Sequence, residues 1–319
     1  MEQNVIAIIW DFDKTLVDGY MQEPIFQKFG VDEKEFWDEV DALQEKYNRQ
    51  GVRTNRDTIY LNHFITCTRQ GIFKGLNNKM LREFGKNLVF YPGVPEIFIE
   101  LKNIIKENEK FKNFDIRVEH YVVSTGLAEM IKGSMVSEYL DGIWGCEFIE
   151  KPVESKIKVE GIPDKKEFDQ CFASGEISQV SYTIDNTSKT RALFEINKGS
   201  NKFNIDVNAK MRKGDRRVPF ENMIYIADGP SDIPAFAVIN LFGGKNYAIY
   251  PKGDKKGLKQ VNRLIDDGRI NMFGEADYRK GTTTTLWLSE QVETIAARIA
   301  SEKKRRIHES ASGVPKHLT

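Results

Sequence analysis

The sequence predicts an α/β fold, a Rossmann-like parallel-sheet core with a helical cap inserted after its first strand. Two observations carry this. Short apolar runs of strand length alternate with segments of helical period, the pattern of a parallel sheet covered by helices on both faces. Three of those runs also end in polar, chemically capable residues: Asp11 and Asp13, then Ser124, then Asp228 and Asp232. In open α/β sheets ligands bind outside the carboxyl ends of the strands, so three such ends side by side bring these residues to one edge.

The elements follow in order. The first strand is Val5–Trp10, nearly all hydrophobic and therefore buried. In "GVDEKEFWDEVDALQEKY", apolar residues at Phe36, Val40, Leu43 and Tyr47 mark a helix. Asp32 with Glu35 resembles a capping box, and Val31 with Phe36 a hydrophobic staple. "TNRDTIYLNHFITCTRQG" and "LNNKMLREFGKNL" also read as helices, so the segment 20–88 is helical and is taken as the cap. "YPGVPEIFIELKNIIKENEKF" opens with a turn and places Pro95 near a helix start, with Ile97, Leu101, Ile104 and Ile105 as its apolar face.

"IRVEHYVVSTG" is a strand ending at Ser124, and Leu127–Tyr139 reads as helical. "IWGCEFIE" and "VSYTID" are two strands separated by the polar stretch 151–178, read as a loop or small subdomain. "SKTRALFEINKG" is a short helix stopped by Gly199. After the basic, irregular stretch 200–222 come strands in "MIYIADGPSD" and "KNYAIYPKG", and a further one is expected in "EADYRKG". "LSEQVETIAARIASEKKRR" is a terminal helix. The expected domains are a catalytic core of 1–19 and 89–300, the cap 20–88, and a basic, mobile C-terminal tail 301–319.

Composition narrows the function classes. The 319 residues carry 47 basic and 47 acidic side chains, a net charge of zero, which supplies no field for nucleic acid or a membrane surface. The basic run Lys210, Arg212, Lys213, Arg216 and Arg217, and Lys303 to Arg306, therefore read as solvated. Arg53 and Arg56 are weighed as binders of a second anion against plain surface solvation. The three cysteines, Cys67, Cys146 and Cys171, are far apart, and no CxxC occurs, so neither a zinc ribbon nor a disulfide framework is supported. Cys67 and Cys146 read as packing residues, and His63, His120, His308 and His317 lack ligand spacing. The start, "MEQNVIAIIWDFD", has neither the charged nor the apolar region of a signal peptide, and no apolar run is long enough to span a membrane. A reducing, cytoplasmic setting is expected, and the oligomeric state is left open.

The strand ends assemble into one chemistry. Two carboxylates as close as Asp11 and Asp13 repel unless a positive charge sits beside them. Asp11, Asp228 and Asp232 form a hard, oxygen-rich site of the kind magnesium (Mg2+) prefers, together with a substrate phosphate. Asp11 then attacks phosphorus to form an aspartyl phosphate. Asp13 protonates the leaving oxygen and later deprotonates water. Ser124 and Lys189 hold the phosphoryl oxygens. Lys189 is preferred over Lys198, Lys165 and Lys166 because it stands at a helix start before "TRALFEI".

This arrangement resembles the haloacid dehalogenase superfamily of phosphohydrolases over about residues 4 to 250. The matches are "DFDKT" for the DxDx[TV] motif, Ser124 after an apolar strand, Lys189 before a helix, and Asp228 and Asp232 in "IYIADGPSD". The resemblance implies a Rossmann-like core, an aspartyl-phosphate mechanism and magnesium held by Asp11, Asp228, Asp232 and the backbone carbonyl of Asp13. The helical insert is similar to the family's C1 cap, and the strand pair after the second motif to its phosphoserine-phosphatase-like branch. The expected activity is magnesium-dependent hydrolysis of a small phosphorylated metabolite. The rivals are a phosphotransferase or phosphomutase sharing the intermediate, and a phosphate-binding scaffold without turnover.

Overall fold

Strand β1, Val5–Trp10, is buried at every residue because it has a parallel neighbour on each edge. The computed structural model describes residues 3–153 and 175–311. The other strands are β2 Arg117–Leu127, β3 Gly142–Ile149, β4 Gln179–Tyr182, β5 Met223–Ala227, β6 Lys245–Tyr250 and β7 Met272–Glu275. They form one seven-stranded sheet in the order β4-β3-β2-β1-β5-β6-β7. Every pairing is parallel except the edge hairpin of β3 with β4. Trp10 stands opposite Val122 on β2 and Ile226 on β5. The three strands whose ends carry the polar residues are thus adjacent and in register, with the order of connection reversing about β1.

Four helices lie between β1 and the rest of the core: α1 Glu23–Phe29, α2 Glu33–Arg49, α3 Arg56–Arg69 and α4 Asn78–Gly85. The chain leaves and re-enters the core through a narrow neck, where Val17 bridges Phe90 antiparallel and Asp18 N–H donates to the Val89 carbonyl at 2.9 Å. Side chains start three of the four helices. Asp32, Asn55 and Asn77 accept from the backbone N–H groups of Glu35, Asp57 and Met80 at 2.9, 2.8 and 2.8 Å, each cap worth about 1 kcal/mol. Inside, Phe26, Phe36, Phe64 and Phe73 pack with ring centroids 4.9 to 6.3 Å apart, giving the insert its own aromatic core. Its last helix seats on the core helix α6, Ala128–Gly133. A Cβ on Gly85 would lie 2.1 Å from the Met130 carbonyl oxygen, and one on Gly133 would lie 2.0 Å from that of Arg82. The two backbones approach this closely only because both residues are glycine.

The remaining core helices are α5 Glu96–Glu107, α7 Lys189–Lys198, α8 Ile233–Leu241, α9 Lys255–Asp266 and α10 Thr283–Ala311. Helix α5 packs on α10, and α7 on α8. No described helix is long and apolar enough to cross a membrane.

Several expectations are corrected. The terminal helix is longer than expected at both ends: α10 begins at Thr283 and continues to Ala311, its apolar face of Leu288, Val292, Ile295 and Ile299 anchoring a helix that then runs on through charged residues. Residues 312–319 lie outside the described residues. The helix expected over Leu127–Tyr139 is only α6 with a 3-10 turn at Ser137–Tyr139, since β2 extends to Leu127. The strand sought in "EADYRKG" is instead β7 just upstream; Tyr278 leaves the sheet, donates to the Thr15 carbonyl at 2.6 Å and packs edge-on to Trp10. Most of the stretch 151–178, with Cys171, Lys165 and Lys166, lies outside the described residues, whereas Ile177 is buried and donates its N–H to the Leu76 carbonyl of the cap at 2.9 Å. Arg217 is not fully solvated: partly buried, it forms a two-pronged ion pair with the buried Glu119 on β2.

Candidate active site

The sheet builds the floor. One residue past β1, Asp11 N–H still donates to the Ile226 carbonyl at 2.8 Å, so the Asp11 side chain is fixed at the carboxyl edge. Lys14 then adopts φ +55°, a left-handed conformation uncommon for a residue with a side chain. The chain turns back there, and Asp13 Oδ1 accepts from the Met21 N–H at 2.8 Å. A Cβ on Gly126 would lie 2.3 Å from Met21 Cε and 3.1 Å from Asp13 Oδ2, so the Met21 side chain packs directly over the backbone of β2 at this turn.

From the start of α7, the fully buried Lys189 sends its ammonium to Asp11 Oδ1 at 2.8 Å and Asp232 Oδ1 at 2.6 Å. An ammonium has three protons, so one is left for another acceptor. Asp232 is committed at both oxygens: Tyr225 Oη also donates to Oδ1 at 2.5 Å, and Ser231 Oγ to Oδ2 at 2.6 Å. The Asp228 carboxylate, by contrast, accepts from no other side chain among the described residues, while its backbone carbonyl accepts from Gln260 Nε2 at 3.0 Å. One oxygen each of Asp11, Asp228 and Asp232 lie within 4.8 Å of one another. Ser124 is buried on β2, where its Oγ accepts from Gly126 N–H at 2.9 Å. All six residues singled out from the sequence therefore stand along the edge formed by β1, β2, β5 and the start of α7.

Burial dominates the electrostatics. Desolvation, then the nearby Asp232, raises the Asp11 carboxyl well above the ordinary range, against the pull of Lys189. Desolvation pushes Asp13 up to about 7 despite the Met21 hydrogen bond. Asp228 is pushed up to about 6 by desolvation and by Asp232. For Lys189 burial works against its charge, but Asp11 and Asp232 outweigh it and hold the ammonium above its usual value. The single buried ammonium of Lys189 is bonded to two of these four carboxyl groups, and one oxygen each of Asp11, Asp228 and Asp232 could hold a further cation. Its donors are all oxygen, which fits a hard divalent ion such as magnesium.

A cavity of about 270 Å³ lies over Asp13. Thr125 joins Asp13 in its wall on the core side, Tyr20 and Gln22 line it from the neck, and Trp37, Arg56, Asp57 and Tyr60 from the cap. Tyr60 Oη donates to the Thr125 carbonyl at 2.7 Å and Asn55 Nδ2 to Asp185 Oδ2 at 3.1 Å, tying cap to core. Of these cap residues only Arg56 was weighed from sequence. The others carried no signal, because nothing in local spacing says which side of a cap helix faces the core edge.

No family model matches the chain. An uncharacterized protein of Borreliella burgdorferi is 38% identical over 294 residues, covering 91% of this chain and 97% of that protein. Among solved structures, a HAD family hydrolase from Salmonella enterica subsp. enterica serovar Typhi superposes with a TM-score of 0.50 at 14% identity, covering 90% of this chain and 71% of that one. A substrate-bound phosphoserine phosphatase complex superposes with a TM-score of 0.45 at 16% identity, covering 86% of this chain and 93% of that one.

Proposed function

We propose that the chain is a member of the haloacid dehalogenase superfamily, in keeping with its seven-stranded, mainly parallel sheet, and that it is a magnesium-dependent phosphatase acting on a small phosphomonoester through an aspartyl phosphate. The observation that carries the proposal is the buried Lys189 ammonium bridging Asp11 and Asp232 at 2.8 and 2.6 Å, beside Asp228 and beneath a cavity that Asp13 lines. A binding protein has no use for a carboxylate oxygen held ready in this way.

Lys189 holds Asp11 Oδ1 and leaves Oδ2 as the nucleophile. As Oδ2 bonds to phosphorus, the ester oxygen departs with a proton from Asp13, a role supported by its place in the cavity wall. Asp13 then removes a proton from the water that attacks the phosphoenzyme, inorganic phosphate leaves, and Asp11 is restored. The third Lys189 proton and the Ser124 hydroxyl take phosphoryl oxygens. Asp11, Asp228, Asp232 and the backbone carbonyl of Asp13 would hold magnesium, with Asp232 also fixing Lys189. When bound, the ion neutralises the carboxylates and withdraws charge from the phosphoryl group. The same reading divides the chain into a core of 1–19 and 89–300 and a cap of 20–88 that excludes bulk water. It also places the protein in the cytoplasm, in keeping with the free, buried Cys67 and Cys146.

The test is release of inorganic phosphate from a panel of small phosphomonoesters with magnesium, with excess chelator and with calcium in its place. The proposal expects turnover with magnesium alone, since calcium takes more ligands at longer distance and relaxes the in-line geometry. Full turnover in chelator removes the metal from the mechanism. Transfer of phosphate to an added alcohol without net release identifies a phosphotransferase instead.

A further inference from the structure

We propose that Asp185 is a positioning residue for Lys189, and that Asn55 of the cap completes it, so that one hydrogen bond makes the placement of the Lys189 ammonium depend on the seating of the cap. The proposal rests on the phosphatase reading above and extends it from the site to its support.

Lys189 is the first residue of α7, so the turn before that helix decides where its side chain starts. Asp185 builds the turn. Its Oδ1 accepts from the N–H groups of Thr187 and Ser188 at 2.9 and 2.6 Å. Its own N–H donates to Ser188 Oγ at 2.7 Å, and its carbonyl accepts from the Lys189 N–H at 3.0 Å. The remaining oxygen, Oδ2, accepts from Asn55 Nδ2 at 3.1 Å. Asn55 is equally engaged on its own side, where its Oδ1 caps α3 by accepting from the Asp57 N–H at 2.8 Å. Arg56 and Asp57, the first two residues of that helix, line the cavity over Asp13. The bond therefore joins the turn that carries the ammonium to the turn that carries part of the cavity wall.

The way the cap is held elsewhere gives this bond its leverage. Around α4 the cap is fixed closely: Gly85 and Gly133 let α4 and α6 touch, the Ile177 N–H meets the Leu76 carbonyl, and Asn78 Nδ2 donates to the Phe148 carbonyl at 3.1 Å. At the start of α3 the seam is open. A cleft of about 970 Å³ is lined by Asn55, Arg56 and Asp57 on the cap and by Asp185, Asn186 and Thr187 on the core, and the Asn55–Asp185 hydrogen bond spans it. Against desolvation, hydrogen bonds from Ser188, Thr187 and Asn55 hold the Asp185 carboxyl below its ordinary range, so Asn55 donates to a charged acceptor.

Asparagine and aspartate share a shape, so the bond can be broken and then rebuilt in reverse. Asn55→Asp keeps the Oδ1 cap on α3 but sets a carboxylate against Asp185. Asp185→Asn keeps the Oδ1 turn before α7 but sets two amide NH2 groups face to face. The double variant restores one donor and one acceptor with their roles exchanged. Amide hydrogen exchange of the full-length protein reads the coupling without turnover, and hydrolysis of nitrophenyl phosphate with magnesium reads its effect on the reaction. Each single variant should speed exchange in the first turns of both α3 and α7 and raise KM, by about three- to tenfold, with a smaller change in kcat. The double variant should return close to the unaltered protein. Asp185→Ala removes the turn as well as the bond, so kcat should fall too, by about ten- to a hundredfold. Faster exchange confined to the helix bearing the substitution, or a double variant no better than the worse single one, overturns the coupling. An unchanged kcat in Asp185→Ala overturns the positioning of Lys189. No phosphate release from any ester by the unaltered protein overturns the phosphatase reading instead, and the exchange result still decides the coupling.

Discussion

Lys189 Nζ lies 2.6 Å from Asp232 Oδ1, and neither side chain has appreciable contact with solvent. The pair is the hinge of the site's electrostatics, since the same ammonium reaches Asp11. Replacing Lys189 with methionine leaves two buried carboxylates facing each other. Breaking a buried pair by removing one partner costs about 3–5 kcal/mol. Urea unfolding at neutral pH should show Lys189→Met destabilised by that order, and a loss below about 1 kcal/mol would mean that the pair behaves as a surface bridge.

Asp228 and Asp232 should fail in different ways. Asp232 is held at both oxygens by Lys189, Tyr225 and Ser231, whereas the Asp228 carboxylate has no such commitment. Asp228→Asn is therefore expected to weaken magnesium binding more, and Asp232→Asn to lower stability more. Calorimetric titration of magnesium into both variants, with their thermal unfolding, checks the two halves. A larger affinity loss in Asp232→Asn reverses the assignment.

Asp11 and Asp13 should also differ. Asp11→Asn removes the nucleophile, so activity falls to background and no phosphoenzyme is trapped by acid quench. Asp13→Asn keeps the nucleophile but loses the proton donor, a loss of about 10²–10⁴ in rate. In single turnovers the loss should be largest for an alkyl phosphate and smaller for the phosphorylation step with nitrophenyl phosphate, whose leaving group needs little protonation. Equal losses on both substrates in that step would remove Asp13 as the general acid.

Thr15 is buried, and its Oγ1 has no hydrogen-bond partner. Thr15→Val exchanges an unsatisfied hydroxyl for a methyl of the same shape. It should be neutral or stabilising by about 1 kcal/mol, as read from the urea midpoint. A destabilisation of that size would reveal a donor or acceptor that Thr15 serves.

His120 gives a stability–pH prediction. Trp10 Nε1 donates to His120 Nδ1 at 3.3 Å and His120 Nε2 faces the Phe98 carbonyl at 3.1 Å, so both ring nitrogens are used by the neutral form. Burial foremost, with Lys102 adding, depresses the folded-state value from 6.5 to about 3. The unfolded chain takes up a proton below its own value and the folded chain does not. The His120 contribution is thus complete above about 6.5 and declines toward pH 3 by up to about 1.4 kcal/mol per pH unit. The stability difference between the protein and His120→Gln should shrink as pH falls across that window. A constant difference would show that His120 is protonated in the folded state.

Much of this was legible in the sequence because it depends on neighbours along the chain. Val5–Trp10 is apolar enough to demand burial, and acids directly after such a strand must lie at its end, which located Asp11, Asp13 and Asp228 at one edge before any fold was known. Helices such as α2 announce themselves by period and cap. Other features depend on contacts between distant residues. Helix α8, "IPAFAVINL", is apolar on nearly every side, so no period marks it, and only its packing on α7, β5 and β6 explains it. Arg217 looked like one more solvated basic residue until the fold set it beside Glu119, 98 positions away. The same is true of Lys189, which sequence offered as a phosphate ligand; its tie to Asp232, 43 positions on, exists only where α7 meets the end of β5. The cavity wall of Gln22, Asp57 and Tyr60 was decided by how the cap seats on α6 and Thr125. Local sequence governs backbone dihedrals and burial, but the identity of a side chain's partner is set by which elements the assembled sheet brings together.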